Sequence, residues 1–314
     1  MLFLLFWKKS CVFNPQGRAV FITGCDSGFG HELAKRLDHM GFIVFAACLF
    51  PDGEGAQSLV RKCSSQLKVI KVDVTQDEDV EQAKKIIENN LPEKGLWGVV
   101  NNAGISDWSE TEWNTIQQYH KMADVNLFGS IRTTLPFIPL IRASEGRMVF
   151  VSSILAFVYV PNLSVYSVTK RAVEAFTDCL RVELATFGVK VCIIEPGNFG
   201  SVTKVLREKA AEEIWNQFND EHKKMFNQEY LHIITDYVNT QLRAGNKNVN
   251  LVIDAMVDAL VSPTPHTRYL VDNRMNKRFF FIFPYLPTCV ADSFFACSGI
   301  YRKRKSMLFS KQVQ

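Results

Sequence analysis

Tyr166 and Lys170 stand four residues apart in the stretch VYSVTK. On a helix that spacing places both side chains on one face, one turn apart. A free phenol titrates near ~10, too weak an acid to trade protons readily at neutral pH. A nearby ammonium group favours the phenolate and lowers that value. The pair therefore reads as a proton carrier, with an ordinary solvent-exposed helix pair as the alternative. The choice depends on whether the rest of the chain supplies a reaction for that proton.

A candidate reaction partner is written in TGCDSGFG, residues 23–30. Gly24, Gly28 and Gly30 fall where a strand turns into a helix, with Ser27 and Phe29 in the same turn. Glycine permits positive φ and close approach of the backbone to a pyrophosphate, while the helix start offers N–H groups and the positive end of its dipole. The spacing is G-x-x-x-G-x-G rather than G-x-G-x-x-G, so a plain tight turn is the competing reading. Two further strand ends carry polar residues. Asp73 and Val74 close the third strand, where a carboxylate could take an adenine amino group and a main-chain N–H the ring. NNAG closes the fourth and contributes Asn102, Ala103 and Gly104.

The elements that must hold these groups alternate. AVFIT (19–23) reads as a strand, followed by a helix from Gly28 to Met40 and a strand in FIVFAACL (42–49). LKVIKVDV (67–74) is a third strand, 80–90 a helix, and WGVVNN (97–102) a fourth strand. A long helical region over 114–142 precedes a strand at 147–153, a helix at 166–187 and a strand at 190–196. Near-continuous apolar strands separated by helices predict a doubly wound parallel α/β sheet of the Rossmann type, covered on both faces. Ligands in such sheets lie outside the carboxyl ends of the strands. Beyond Gly200 the pattern loosens into a polar, helical insertion (202–245) containing Trp215, Phe218, Phe226 and Tyr230. A helix at 252–261 and a last strand at 267–271 follow.

Composition excludes several alternatives. With 314 residues, 47% hydrophobic and 22% charged, the chain has the profile of a folded domain. The net charge of +4 owes much to the run Arg302–Lys305, so no nucleic-acid binding is inferred. The eight cysteines form no Cys-x-x-Cys pair, and those in apolar runs such as VFAACL and VKVCII read as buried thiols in a reducing compartment. No metal site is expected. The opening MLFLLFWKKS has too short an apolar run to span a bilayer and, lacking arginine, makes a poor mitochondrial presequence. Three segments are expected: an apolar and basic start (1–17), a dinucleotide-binding domain (18–271) and an aromatic, basic tail (272–314). Pro284 and Pro287 break the tail, which suits peripheral contact with a membrane surface; packing on the core is its alternative.

In order and spacing, TGCDSGFG, NNAG, Asn126 in DVNLFG, Ser153 in VSS, YSVTK and EPGN (195–198) resemble the short-chain dehydrogenases/reductases over residues 18–200. GFIVFAACL, EKGLWGVVNNAGIS, VEAFTDCLR and GVKVCIIEPGNF resemble the branch of that family containing the hydroxybutyrate, retinol and hydroxysteroid dehydrogenases. The thirteen positions between Ser153 and Tyr166 favour the hydroxybutyrate side.

The resemblance implies an NAD-dependent alcohol dehydrogenase, with Asn126, Ser153, Tyr166 and Lys170 as the catalytic set. Ser153 would fix the substrate oxygen near Tyr166, Lys170 would also hold the nicotinamide ribose, and Asn126 would hold a relay water. Pro196 and Gly197 would close on the nicotinamide. Asp52, just beyond the second strand, could bind the adenosine ribose, or could be a turn residue. The first substrate expectation is 3-hydroxybutyrate/acetoacetate, and the alternative is a retinoid or steroid alcohol. ILAFVYVPNL after Ser153 is apolar and departs from the small-acid pattern. The resemblance also implies a homo-oligomer and a membrane-associated, mitochondrial location, with the endoplasmic reticulum as alternative. A non-catalytic scaffold is the reading from a different class, and it would ordinarily lack the tyrosine or the lysine.

Overall fold

A computed structural model describes residues 13–203 and 205–296. Its first half runs β1 (Ala19–Ile22), α1 (Gly28–His39), β2 (Ile43–Cys48), α2 (Glu54–Lys62), β3 (Leu67–Lys71), α3 (Asp77–Glu88), β4 (Leu96–Asn101). It continues with α4 (Ile116–Ala123), α5 (Gly129–Arg132), α6 (Ile138–Ala143), β5 (Arg147–Val151), α7 (Ser164–Ala185) and β6 (Lys190–Pro196). The insertion folds as α8 (Gly200–Thr203), α9 (Ala211–Gln217), α10 (Asp220–Met225) and α11 (Gln228–Arg243). α12 (Asn250–Val261), β7 (Arg268–Val271), α13 (Arg274–Ile282) and α14 (Thr288–Ala296) complete the described chain.

The seven strands are all parallel, in the order β3-β2-β1-β4-β5-β6-β7. The order reverses between β1 and β4, which opens a crevice at their carboxyl ends. The strands are apolar throughout because both faces are buried. In β1, Val20 and Ile22 join the layer under α1 and α12, with Leu33, Leu37, Ile253 and Met256. Ala19 and Phe21 join the opposite layer under α3 and α7, with Val80, Ile87, Val173 and Leu180. Each such side chain stabilises the sheet by about 1.5–3 kcal/mol on burial. Charged substitution of Phe21, which stacks on Phe137 at 4.9 Å, would open the second layer.

Three local features differ from the sequence reading. Helix α2 was not anticipated in EGAQSLVRK. It forms against the glycine turn, so closely that a methyl group on Gly55 would lie 1.8 Å from the Asp26 carbonyl oxygen. The region 114–142 is not one helix. A π-helical turn at Asp124–Phe128 and a 3-10 turn at Leu135–Phe137, with Pro136 unable to donate, divide it. The aromatic residues of the insertion build a small core of their own, where Phe218, Phe226 and Tyr230 pack with Trp108.

The tail folds back onto the loop after β5. Phe283 and Ala291 are buried against Val158, and the Tyr159 hydroxyl donates to Asp292 at 2.9 Å. Residues 1–12 and the run Arg302–Lys305 lie outside the described residues. Among the described residues, no helix is long and apolar enough to cross a membrane. Cys48 and Cys192 are buried free thiols, as their apolar runs imply; Cys25, in the glycine turn, is buried too, whereas Cys179 and Cys289 are exposed.

Candidate active site

The crevice contains a cavity of about 1210 Å³, lined at one end by Gly24, Ser27, Gly28, Phe29, Ala103 and Gly104. Gly24 and Gly28 take φ of +70° and +62°, conformations that other residues adopt at a cost. A methyl group on Gly24 would lie 2.8 Å from Cα of Ala103, so the turn and the end of β4 need this close approach. The Asn102 side chain secures it by donating to the Thr23 and Gly24 carbonyls at 2.8 and 3.1 Å. Thr23 Oγ1 accepts from the main-chain N–H groups of Asn102 and Ala103, both at 3.0 Å. Ser27, at the head of α1, makes no side-chain cap. The first-turn N–H groups are thus left for an anion, as a pyrophosphate-binding turn requires. A nicotinamide dinucleotide fits this end of the cavity.

Tyr166 and Lys170 both line the same cavity, together with Ser153, Pro196 and Gly197. The Lys170 Nζ lies 5.6 Å from the centre of the Tyr166 ring and donates to the Val151 carbonyl at 2.8 Å. The solvent-exposed helix pair is thereby excluded, since Lys170 is only 4% exposed. The electrostatic expectation needs correction, however. Burial pushes the Tyr166 hydroxyl up to about 12, and it is a hydrogen bond with Ser153, not the lysine, that works in the other direction. Burial also pulls Lys170 down to about 8, opposed by the charge of Glu174. Removal from water penalises phenolate and ammonium alike, and this outweighs their attraction across the ring face.

Asn126 lies one layer behind the cavity wall and is fully buried. The π-helical turn aims it at the loop after β4. Its Oδ1 accepts from Ile105 N at 2.8 Å, and its Nδ2 donates to the Ile105 carbonyl and to Thr169 Oγ1 at 2.9 and 3.1 Å. A methyl group on Gly104 would lie 3.3 Å from that Oδ1 and 3.6 Å from the Lys170 Nζ, so the three groups converge.

Four residues expected to contact the cofactor do not line this cavity. Gly30 does not line the cavity; a methyl group there would lie 2.4 Å from the Gly24 carbonyl, so its role is helix-to-turn packing. Asp73 Oδ1 accepts from the N–H and hydroxyl of Thr75, leaving Oδ2 for another donor, and the Val74 side chain packs into the core, which leaves its main-chain N–H role open. Asp52 is exposed and away from the lining. Other residues were not anticipated. Asp26, inside the quoted glycine motif, lines the cavity. Behind Lys170, Arg268 of β7 binds Glu174 and Glu195 at 2.6 Å and Asp178 at 2.7 Å, while Ser152 donates to Glu174 at 2.8 Å. Burial raises Glu195 to about 7. No short motif marks this network, whose members come from three separate elements.

The far end of the cavity is walled by Leu155, Val158, Leu206, Tyr237, Phe279 and Phe294 among others. Lys170 is the only cation among the described residues of the lining. Arg207 pairs with Glu213, and Lys209 with Asp107 at 2.6 Å, both off the wall. Lys204 lies outside the described residues.

The family profile described as short chain dehydrogenase matches residues 18–213. The chain is 41% identical over 261 residues to the mitochondrial D-beta-hydroxybutyrate dehydrogenase of Rattus norvegicus, covering 81% of this chain and 76% of that one. It is 40% identical over 302 residues to retinol dehydrogenase 16 of Rattus norvegicus, covering 94% and 92%. A short-chain dehydrogenase structure from Streptomyces avermitilis shares the fold with a TM-score of 0.69 at 21% identity, over 95% of this chain and 99% of that one.

Proposed function

This chain belongs to the short-chain dehydrogenase family, and on that premise we propose that it is an NAD-dependent dehydrogenase of a lipophilic alcohol, of the retinoid or steroid class, rather than of 3-hydroxybutyrate. The observation that carries the substrate choice is the far wall of the cavity. A small hydroxy acid needs a cation or several donors for its carboxylate, whereas an apolar alcohol needs area and few polar groups. Apolar side chains dominate the described wall, alongside the amides of Asn162, Gln241, Asn246, Asn273 and Asn276, and its one lysine stands beside Tyr166 rather than at the far end.

Bound NAD supplies the hydride acceptor. Ser153 and Tyr166, hydrogen-bonded to each other, would hold the substrate oxygen between them, and Tyr166, as the phenolate left once its own proton has passed to solvent, would take the substrate's proton. Lys170, drawn to about 8, would carry charge beside the phenol at neutral pH and hold the nicotinamide ribose hydroxyls. Asn126 would keep the loop after β4 at the correct distance from Lys170 and hold the relay water. Pro196 and Gly197 would close on the ring; Gly197 has no room for a side chain, since a methyl group would lie 1.8 Å from the Asp272 carboxylate.

Initial rates of NADH formation with all-trans-retinol, a 3α-hydroxysteroid and 3-hydroxybutyrate test the reading. At least one lipophilic alcohol should exceed 3-hydroxybutyrate about 100-fold or more in kcat/KM. The reverse order would restore the small-acid reading, which the 41% identity to a hydroxybutyrate dehydrogenase favours. No turnover of any alcohol would favour the scaffold.

The tail supports peripheral membrane contact. While α13 and α14 line the cavity with Phe279, Phe280, Phe294 and Phe295, they leave Met275, Phe281, Ile282 and Tyr285 largely exposed beside exposed Lys277 and Arg278. Replacing Phe281 and Tyr285 by serine should reduce sedimentation with anionic liposomes, and unchanged binding would argue against a lipid-facing tail. Exposed Phe128, Leu135, Val168 and Val182 support self-association, which sedimentation velocity measures directly.

A further inference from the structure

We propose that Asp26, rather than an acidic residue at the end of the second strand, selects NAD against its 2′-phosphorylated form. The inference rests on the dinucleotide reading of the glycine turn. In doubly wound sheets an acid closing the second strand ordinarily meets the adenosine ribose and excludes a 2′-phosphate. Here β2 ends in Cys48, followed by Leu49 and Phe50, and the next acid, Asp52, is exposed and off the cavity wall. The negative charge is supplied from the other side of the crevice. Asp26, in the turn between β1 and α1, lines the cavity and reaches across to the end of β2. One carboxylate oxygen accepts from Leu49 N and the other from Phe50 N, each at 2.9 Å.

Those two bonds fix where the charge stands. They occupy one acceptor site on each oxygen and leave the others available to a hydroxyl donor. A ribose 2′-hydroxyl can donate to a carboxylate. A phosphate ester at that position cannot, and it brings like charge next to a held carboxylate. The Gly55 contact with the Asp26 carbonyl closes the arrangement from α2, so the carboxylate cannot swing aside with its backbone. No arginine stands among the described lining residues to compensate a phosphate, and the one lysine, Lys170, is at the Tyr166 end.

Binding of NADH and NADPH to the purified full chain, followed by tryptophan-to-nicotinamide energy transfer, gives a readout independent of turnover. The wild type should bind NADH about 100-fold more tightly than NADPH. Asp26→Asn, which keeps the shape and an acceptor for the loop, should narrow that ratio at least tenfold by tightening NADPH. Asp26→Ser should narrow it further, and Asp52→Asn should leave it unchanged. Equal weakening of both dinucleotides by Asp26→Asn and Asp26→Ser would mean the residue only braces the loop, and would overturn the inference. So would a shift in ratio produced by Asp52→Asn and not by Asp26→Asn. A wild type that binds neither dinucleotide overturns the cofactor reading itself, an outcome distinct from NADH binding with an unaltered ratio in the variants.

Discussion

The two ends of the cavity are built from different materials. The dinucleotide end is made largely of main chain: glycines at positive φ, an uncapped helix start and strand ends held by Thr23 and Asn102. The far end is made of side chains on helices and two loops, none of which belongs to the sheet. Main-chain geometry tolerates little substitution, because an added Cβ meets backbone atoms. Side-chain walls tolerate exchange of one apolar residue for another at small cost. The general part of the reaction therefore sits where sequence is constrained, and the choice of alcohol sits where it is free. Tyr166 stands at the junction.

The largest expected effect tests that junction. Tyr166→Phe removes the hydroxyl and little else, and should lower kcat by about 10³-fold, within the range typical of a lost proton carrier. NADH binding should change less than about twofold, since the dinucleotide end keeps its main-chain contacts. Retained turnover above a tenth of wild type would mean that another group carries the proton. Loss of NADH binding alongside turnover would show that the two ends are not separable.

Next in size is a single methyl group at the main-chain end. Gly24→Ala places a Cβ 2.8 Å from Ala103 Cα at a φ of +70°. It should weaken NADH at least tenfold and cost about 1–3 kcal/mol of stability in strain, measured by titration and thermal unfolding. Binding unchanged by this substitution would contradict the idea that main-chain approach defines this end.

The same contrast explains how much the sequence revealed. The strands were legible because burial on both faces makes them continuously apolar, and the turn because glycine spacing records φ. Tyr166, Lys170 and Ser153 were legible from a helical spacing and a strand end. Asn126 came only from the family resemblance, since a π-helical turn leaves no simple periodic mark. Asp26 went unremarked between the glycines, because its significance depends on Leu49 and Phe50, just past the end of β2 and more than twenty positions away. For the tail phenylalanines the sequence left a lipid surface and the core both open. Phe279, Phe280, Phe283 and Phe295 pack inward while Phe281 and Phe294 stay exposed, a division of one apolar run that only packing of the tail against 157–160 decides.

The side-chain end should give a smaller and selective response. Phe279→Ala combined with Phe294→Ala removes aromatic surface from two tail helices that line the far wall. KM for a lipophilic alcohol should rise about five- to tenfold, consistent with about 1–1.4 kcal/mol of lost apolar contact. NADH binding and the rate at saturating alcohol should stay near wild type. A rise in KM for NAD of the same size would show that the tail shapes both ends.

The smallest effect concerns the network beneath the junction, which belongs to the scaffold and should be silent in specificity. Glu195 precedes Pro196 and is 5% exposed, and burial, reinforced by Glu174 and Asp178, raises it to about 7 against the pull of Arg268. A carboxyl group whose folded-state pKa lies above its ordinary value of 4.5 binds its proton more tightly when folded. Its contribution to stability is therefore greatest at low pH and declines as pH rises from about 4.5 to about 7. The full shift corresponds to roughly 3 kcal/mol, and sharing of charge with Glu174 should leave nearer ~1 kcal/mol observable. Glu195→Gln should flatten the thermal-midpoint profile across that window by about 2–4 °C, with KM for the alcohol unaltered. If variant and wild type keep the same slope, Arg268 holds Glu195 ionised throughout. The anchor between α7 and β7 would then be a fixed ion pair, and burial would not govern this layer as it governs Tyr166 and Lys170.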